Sequence, residues 1–82
     1  MNICYSSGVL EEMNIRLGFR KFVEISISKF FSGNYGEVDL EDAEHNRKNP
    51  RAAIGAYTYN GEIKIYIKSE FLWTTVFFPD EY

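Results

Sequence analysis

Apolar and polar residues alternate with period two from Tyr57 to Lys68, and the alternation breaks once, at Asn60-Gly61. A type I′ turn needs positive φ at both central positions, which this dipeptide supplies, so the segment predicts a β-hairpin. A β-rich run, Trp73-Thr74-Thr75-Val76-Phe77-Phe78, follows after a short break and predicts a third antiparallel strand. Upstream the period changes. Val9, Leu10 and Met13 recur at helical spacing behind Ser6-Ser7-Gly8, which offers an N-cap, and predict a helix over about 8–15 with Glu11 and Glu12 in its first turn.

The stretch 19–31 fits two templates. Val23-Glu24-Ile25-Ser26-Ile27-Ser28 alternates like a strand, whereas Phe19, Phe22, Val23, Ile27, Phe30 and Phe31 share one helical face. Length favours a helix ending at Ser32-Gly33, with Ile25 as the residue that fits badly. After the turn Gly33-Asn34-Tyr35-Gly36, acids precede bases from Glu37 to Arg51, the order a helix dipole prefers, and Asp39 with Asp42 resembles a cap. This places a helix at 40–48, stopped before Pro50. Asn2 to Tyr5 is short enough to be an edge strand. The expected architecture is one α+β domain over 1–82, with two or three short helices packed on a C-terminal three-stranded antiparallel meander and an N-terminal edge strand.

Composition narrows the function. With 82 residues there is room for one small core, and an aromatic content of 17% supplies much of it. A net charge of −3 argues against a protein that grips nucleic-acid phosphates directly. The single cysteine, Cys4, excludes an internal disulfide and fits a reducing cytoplasm. No apolar run approaches the ~20 residues that span a bilayer, and Met1-Asn2-Ile3-Cys4-Tyr5 lacks the basic and apolar regions of a leader peptide. The expectation is a protein of the bacterial cytoplasm, away from membranes.

Reactive side chains are sparse. His45 is the only histidine, so neither a metal site nor a Cys4/His45 nucleophile pair finds the further groups it needs. Asp39, Glu41 and Glu44 lack the loop that an EF-hand requires. No cofactor and no enzymatic activity are expected. Two stretches stand out as candidate partner-binding residues. One is the acidic run Glu37, Asp39, Glu41, Asp42 and Glu44, which either faces a partner's basic patch in the manner of phosphates or serves as a capped helix front. The other is Phe71, Leu72 and Trp73, an unusually apolar connection between strands. Trp73 is expected in the core; if exposed, these residues become an anchor for a partner. Tyr57, Tyr59 and Tyr66, with Lys64 and Lys68 on the face of Tyr66, make a weak match to a base-stacking sheet.

Several of these residues resemble a family of small proteins carried by plasmids, integrative elements and phages and labelled plasmid-related. Ser32-Gly33-Asn34-Tyr35-Gly36-Glu37 is similar to that family's Ser-Gly-Asp-Trp-Gly-Asp stretch, and Asp42 with Asn46 matches its Asp-x-x-x-Asn spacing. The ending Thr74-Thr75-Val76-Phe77-Phe78-Pro79-Asp80-Glu81-Tyr82 is similar to its Thr-Thr-Ile-Leu-Leu-Pro-Glu-Glu-Tyr. Departures occur where the family has Asp-Arg-Ser and this chain has Glu70-Phe71-Leu72, and where Tyr35 and Phe30 replace its Trp and His. The resemblance implies a mobile-element origin without naming an activity. In size, acidity and lack of reactive groups the chain is also similar to the small acidic proteins of such elements, anti-CRISPR proteins among them, and this analogy gives the expectation of a non-enzymatic inhibitor that binds a host defence complex such as a Cas effector.

Overall fold

The computed structural model describes residues 2–81; Met1 and Tyr82, the last residue of the closing motif, lie outside the described residues. The chain runs β1 (Asn2–Tyr5), α1 (Ser7–Ile15), α2 (Leu17–Phe31), α3 (Leu40–Lys48), β2 (Ile54–Tyr59), β3 (Ile63–Glu70) and β4 (Trp73–Phe77), with short 3₁₀ turns at Pro50–Ala52 and Pro79–Glu81. It is an α+β fold whose four strands lie in the order β1-β4-β3-β2. The expectation of a wholly antiparallel sheet is corrected here, and the correction lies at its N-terminal strand. β2, β3 and β4 pair antiparallel, but β1 joins the sheet parallel to β4, so the sheet is mixed. The helical segment between β1 and β2 carries the chain from one edge of the sheet to the other.

Each local choice has a visible cause. Ser6 caps α1 by accepting from Val9 N–H at 3.2 Å, and Asp39 caps α3 by accepting from Asp42 N–H at 2.8 Å. In α2 the helical reading of 19–31 prevails because Phe19, Val23 and Phe30 are buried on one face while Ile25, the misfit, stays 46% exposed. Glu11 and Glu12 lie beyond the first turn of α1, contrary to expectation. The negative charge at that helix start comes instead from Glu81, whose carboxylate accepts from Ser6 Oγ at 2.5 Å and from Gly8 N–H at 3.0 Å.

The core lies between the sheet and α1/α2. Ile65, Ile67 and Val76 point from the strands onto Val9, Met13, Phe19, Val23 and Phe30. Burying each isoleucine is worth about 2 kcal/mol, so β3 is the chief contributor from the sheet. Tyr57 also points into this layer, where its hydroxyl donates to Asn34 O at 2.7 Å. Burial, with a smaller contribution from Tyr35, pushes its phenol well above the ordinary range. The hairpin turn has φ of 52° at Asn60 and 69° at Gly61, the angles that dipeptide was chosen for.

The β2 edge is closed by neighbours. Tyr35–Glu37 runs beside it, with Ala56 N–H donating to Tyr35 O at 3.0 Å and Glu37 N–H to Ala56 O at 2.7 Å. Gly36 has to be glycine at this approach: its φ is 72°, and a Cβ there would overlap the Ala56 carbonyl oxygen. One step along, Asn46 of α3 meets Ile54 twice, donating to its carbonyl at 2.7 Å and accepting from its N–H at 2.8 Å. A buried side-chain amide thus substitutes for a neighbouring strand and positions α3.

Candidate interaction surface

β3 and β4 are joined by Phe71-Leu72 alone, a two-residue connection in which Glu70 stands opposite Trp73. Phe71 takes φ of 50°, the left-handed region that Gly or Asn fills cheaply and a phenylalanine does not. The strain is not repaid by burial. Phe71 is 96% exposed, Leu72 73% and Trp73 54%, so the expectation of a core tryptophan is corrected. Two-residue connections leave no chain with which to fold the tip back under the helices.

The tip overhangs a groove of about 670 Å³ whose walls include Phe30, Phe31, Tyr35 and Arg51. Phe31 remains 45% exposed and meets Phe30 edge-on, with ring centroids 5.5 Å apart. Apolar surface therefore continues from the tip into the groove. An aromatic at a strained turn, beside a rigid aromatic wall, has the character of residues that dominate interface energies.

The acidic run is divided between structural and unengaged carboxylates. Asp39 is occupied as the N-cap of α3, and Glu44 forms ion pairs with Arg47 and, at 3.5 Å, with Lys48. Glu37 and Glu41 are exposed, and Asp42 is half-buried. Glu37, Asp39 and Asp42 border a cleft that also contains Lys64 and Tyr66. Leu40, inside this run, is 90% exposed, a feature that charge-based reading of the segment overlooks.

The two candidate stretches do not form one patch. Carboxylates gather at the start of α3, while the tip adjoins Arg51, just past the basic last turn with His45, Arg47 and Lys48. The nine residues of α3 set them apart by roughly 13 Å along its axis. His45 is engaged structurally, its ring nitrogen donating to Ala52 O at 3.0 Å. Cys4 lies on β1 and His45 on the helix beside β2, so they sit at opposite edges of the sheet. Among the described residues no cluster of three or more His, Cys, Asp or Glu could hold a metal ion, and no helix is long and apolar enough to cross a membrane.

The tyrosine platform is also corrected. Tyr57 and Tyr59 pack toward the helices, whereas Tyr66 occupies the opposite face. That opposite face carries Trp73 and Thr75 from β4 beside Lys64, Tyr66 and Lys68 from β3, with Phe77 buried on it against the Tyr66 ring. Lys64 Nζ sits 5.2 Å from the Tyr66 ring centroid, and Lys68 pairs with Glu70 at 3.1 Å. Trp73 belongs to both the tip and this face. In comparisons with family models, with curated proteins and with solved structures, this chain matches none.

Proposed function

We propose that this protein acts by binding, as an inhibitor of a host defence complex of the CRISPR-Cas kind, with the Phe71-Leu72-Trp73 tip as its anchor. The observation that carries the reading is Phe71: a ring 96% exposed at φ of 50°. Folding alone gains nothing from a phenylalanine there, so its use lies in a contact made outside the chain. The tip and the Phe31 wall offer a partner an apolar socket, and the carboxylates Glu37, Glu41 and Asp42 lie apart from it where they steer approach to a basic surface. The inhibited step, in this reading, is one that needs that basic surface for nucleic acid.

The test separates fold from function. Phe71→Gly removes the ring and relieves the left-handed strain, so unfolding stability should stay level or rise by about 1 kcal/mol. Inhibition of target-DNA cleavage by purified Cas effector complexes should fall by at least about tenfold, the effect of losing a modest hot spot. A folded Phe71→Gly protein that inhibits as well as the parent removes the anchor. Failure of the parent to inhibit any effector tested removes the defence-complex reading.

A second reading rests on Lys64 over Tyr66 with the half-exposed Trp73 on the same face. That mixture suits stacking of single-stranded nucleic acid, as would befit a regulatory protein of the mobile element itself. Micromolar, salt-sensitive retention of labelled DNA or RNA, lost in Lys64→Ala and Trp73→Ala, would favour it over inhibition by protein contact.

A further inference from the structure

The two edges of the sheet differ. Along β2 the outward groups of Ile54 and Ala56 are taken by Asn46 and by Tyr35–Glu37. Along β1, the bonds from Asn2 N–H to Leu72 O (3.4 Å) and from Ser6 N–H to Val76 O (2.9 Å) fix which residues face β4. Alternation turns the backbone N–H and C=O of Ile3 and Tyr5 the other way, where they meet no backbone partner among the described residues. Proteins commonly guard such an edge with charge, proline or a bulge. Asn2-Ile3-Cys4-Tyr5 has no charge and no proline, and its pairing with β4 runs in unbroken register.

We propose that β1 pairs antiparallel with β1 of a second copy of this chain, about a two-fold axis passing at Cys4, to make one continuous sheet. The register follows from the hydrogen-bonding groups. Only residues turned outward can exchange ladder bonds, and one alignment uses all of them: Ile3 opposite Tyr5 of the second copy, and Tyr5 opposite its Ile3. That alignment is self-complementary in side chains too. On the helix side it places a β-branched residue against an aromatic twice over, a favourable cross-strand pair. On the other side it sets Cys4 against Cys4 as the pair without hydrogen bonds, with Cα atoms roughly 4.5 Å apart.

Apolar surface flanks the edge on both sides. Ile3 is 37% exposed toward the helices, and Trp73, next to Asn2 on the opposite face, is 54% exposed. A second copy covers Ile3 with the same uncharged strand. A foreign strand would make the ladder bonds without the paired matches of Ile3 with Tyr5.

The full chain, kept reduced, is followed by sedimentation velocity over a concentration series. A dimer that grows with concentration is expected. Oxidation with diamide, which takes up the two thiol protons and two electrons released per disulfide, should then link the dimer through Cys4, because the separation of the two Cα atoms suits that bond. Ile3→Pro deletes an outward N–H without touching a bond to β4, and Ile3→Lys sets a charge opposite Tyr5 while leaving the backbone intact. Each should weaken the reduced dimer about tenfold or more and slow linking in step. A chain monomeric throughout the series overturns the proposal. So does a dimer indifferent to both substitutions in folded protein, or one that binds but never links through Cys4, since each places the contact elsewhere.

Discussion

Asn46 shows what a single side chain can do for a fold this small. Its amide is 1% exposed and makes both hydrogen bonds that a neighbouring strand would otherwise make to Ile54. Asn46→Ala would leave the half-buried N–H and C=O of Ile54 without their partner, and at half burial the penalty for each such group is about 1–2 kcal/mol. Asn46→Ala should therefore lower the unfolding free energy by about 2–4 kcal/mol, read as a lower urea midpoint. Asn46→Asp keeps the acceptor but sets a carboxylate oxygen against the Ile54 carbonyl at a buried position, and at neutral pH should cost at least as much as Asn46→Ala. A midpoint unmoved by Asn46→Ala would mean that α3 is not held through this residue. Phe71 is the opposite case. It carries strain without a packing return, and nothing in the alternation of β3 and β4 reveals that its φ is positive.

Among elements, the regular ones were legible where one signal dominated. The boundaries of α3 follow from acids before bases and from Pro50, and the Asn60-Gly61 hairpin follows from turn chemistry. The partnership of β1 was not legible, because four residues of mixed character specify neither a neighbour nor a direction. The tip and the acidic run could be singled out by residue type, but their separation depends on where α3 lies along β2, which no local pattern encodes. The exposure of Trp73 was hidden for a similar reason: burial depends on what covers the open face of the sheet.

The β1–α1 junction depends on Glu81 in a way that predicts a pH response. Its carboxylate accepts from Ser6 Oγ, from Phe78 N–H at 2.9 Å and from Gly8 N–H. These bonds, led by that from Ser6, hold its pKa below the ordinary 4.5. A carboxylate with a depressed folded pKa contributes its full stability above the unfolded value and loses it as pH falls through the lower folded value. Glu81→Gln should thus reduce stability at neutral pH and flatten the decline below about pH 4.5, seen as converging thermal midpoints in acid. Parallel midpoint curves for the two proteins would show that the junction does not depend on the ionised form.

At the scale of the whole molecule, the separation of carboxylates from the apolar tip divides the proposed binding into two kinetic parts. A net charge of −3, with Glu37 and Glu41 exposed at one end of α3, acts at long range and is screened by salt. The tip acts only on contact. Charge placed at the rim of an interface alters mainly the association rate, while a desolvated anchor alters mainly dissociation. With the captured partner immobilised, the double substitution Glu37→Lys and Glu41→Lys should lower the association rate by roughly tenfold at low salt and flatten its salt dependence, leaving dissociation nearly unchanged. Phe71→Gly should do the reverse, speeding dissociation by about tenfold with association preserved. Among the described residues neither Glu37 nor Glu41 is a cap or an ion-pair partner, but Glu41 lies in the first turn of α3, so the double variant should stay folded and lose only about 0.3–1 kcal/mol of stability to the helix dipole. If charge reversal raised the dissociation rate as strongly as loss of the ring, the acidic residues would be in direct contact with the partner. The footprint would then have to wrap around the basic end of α3 and not rest on the tip alone.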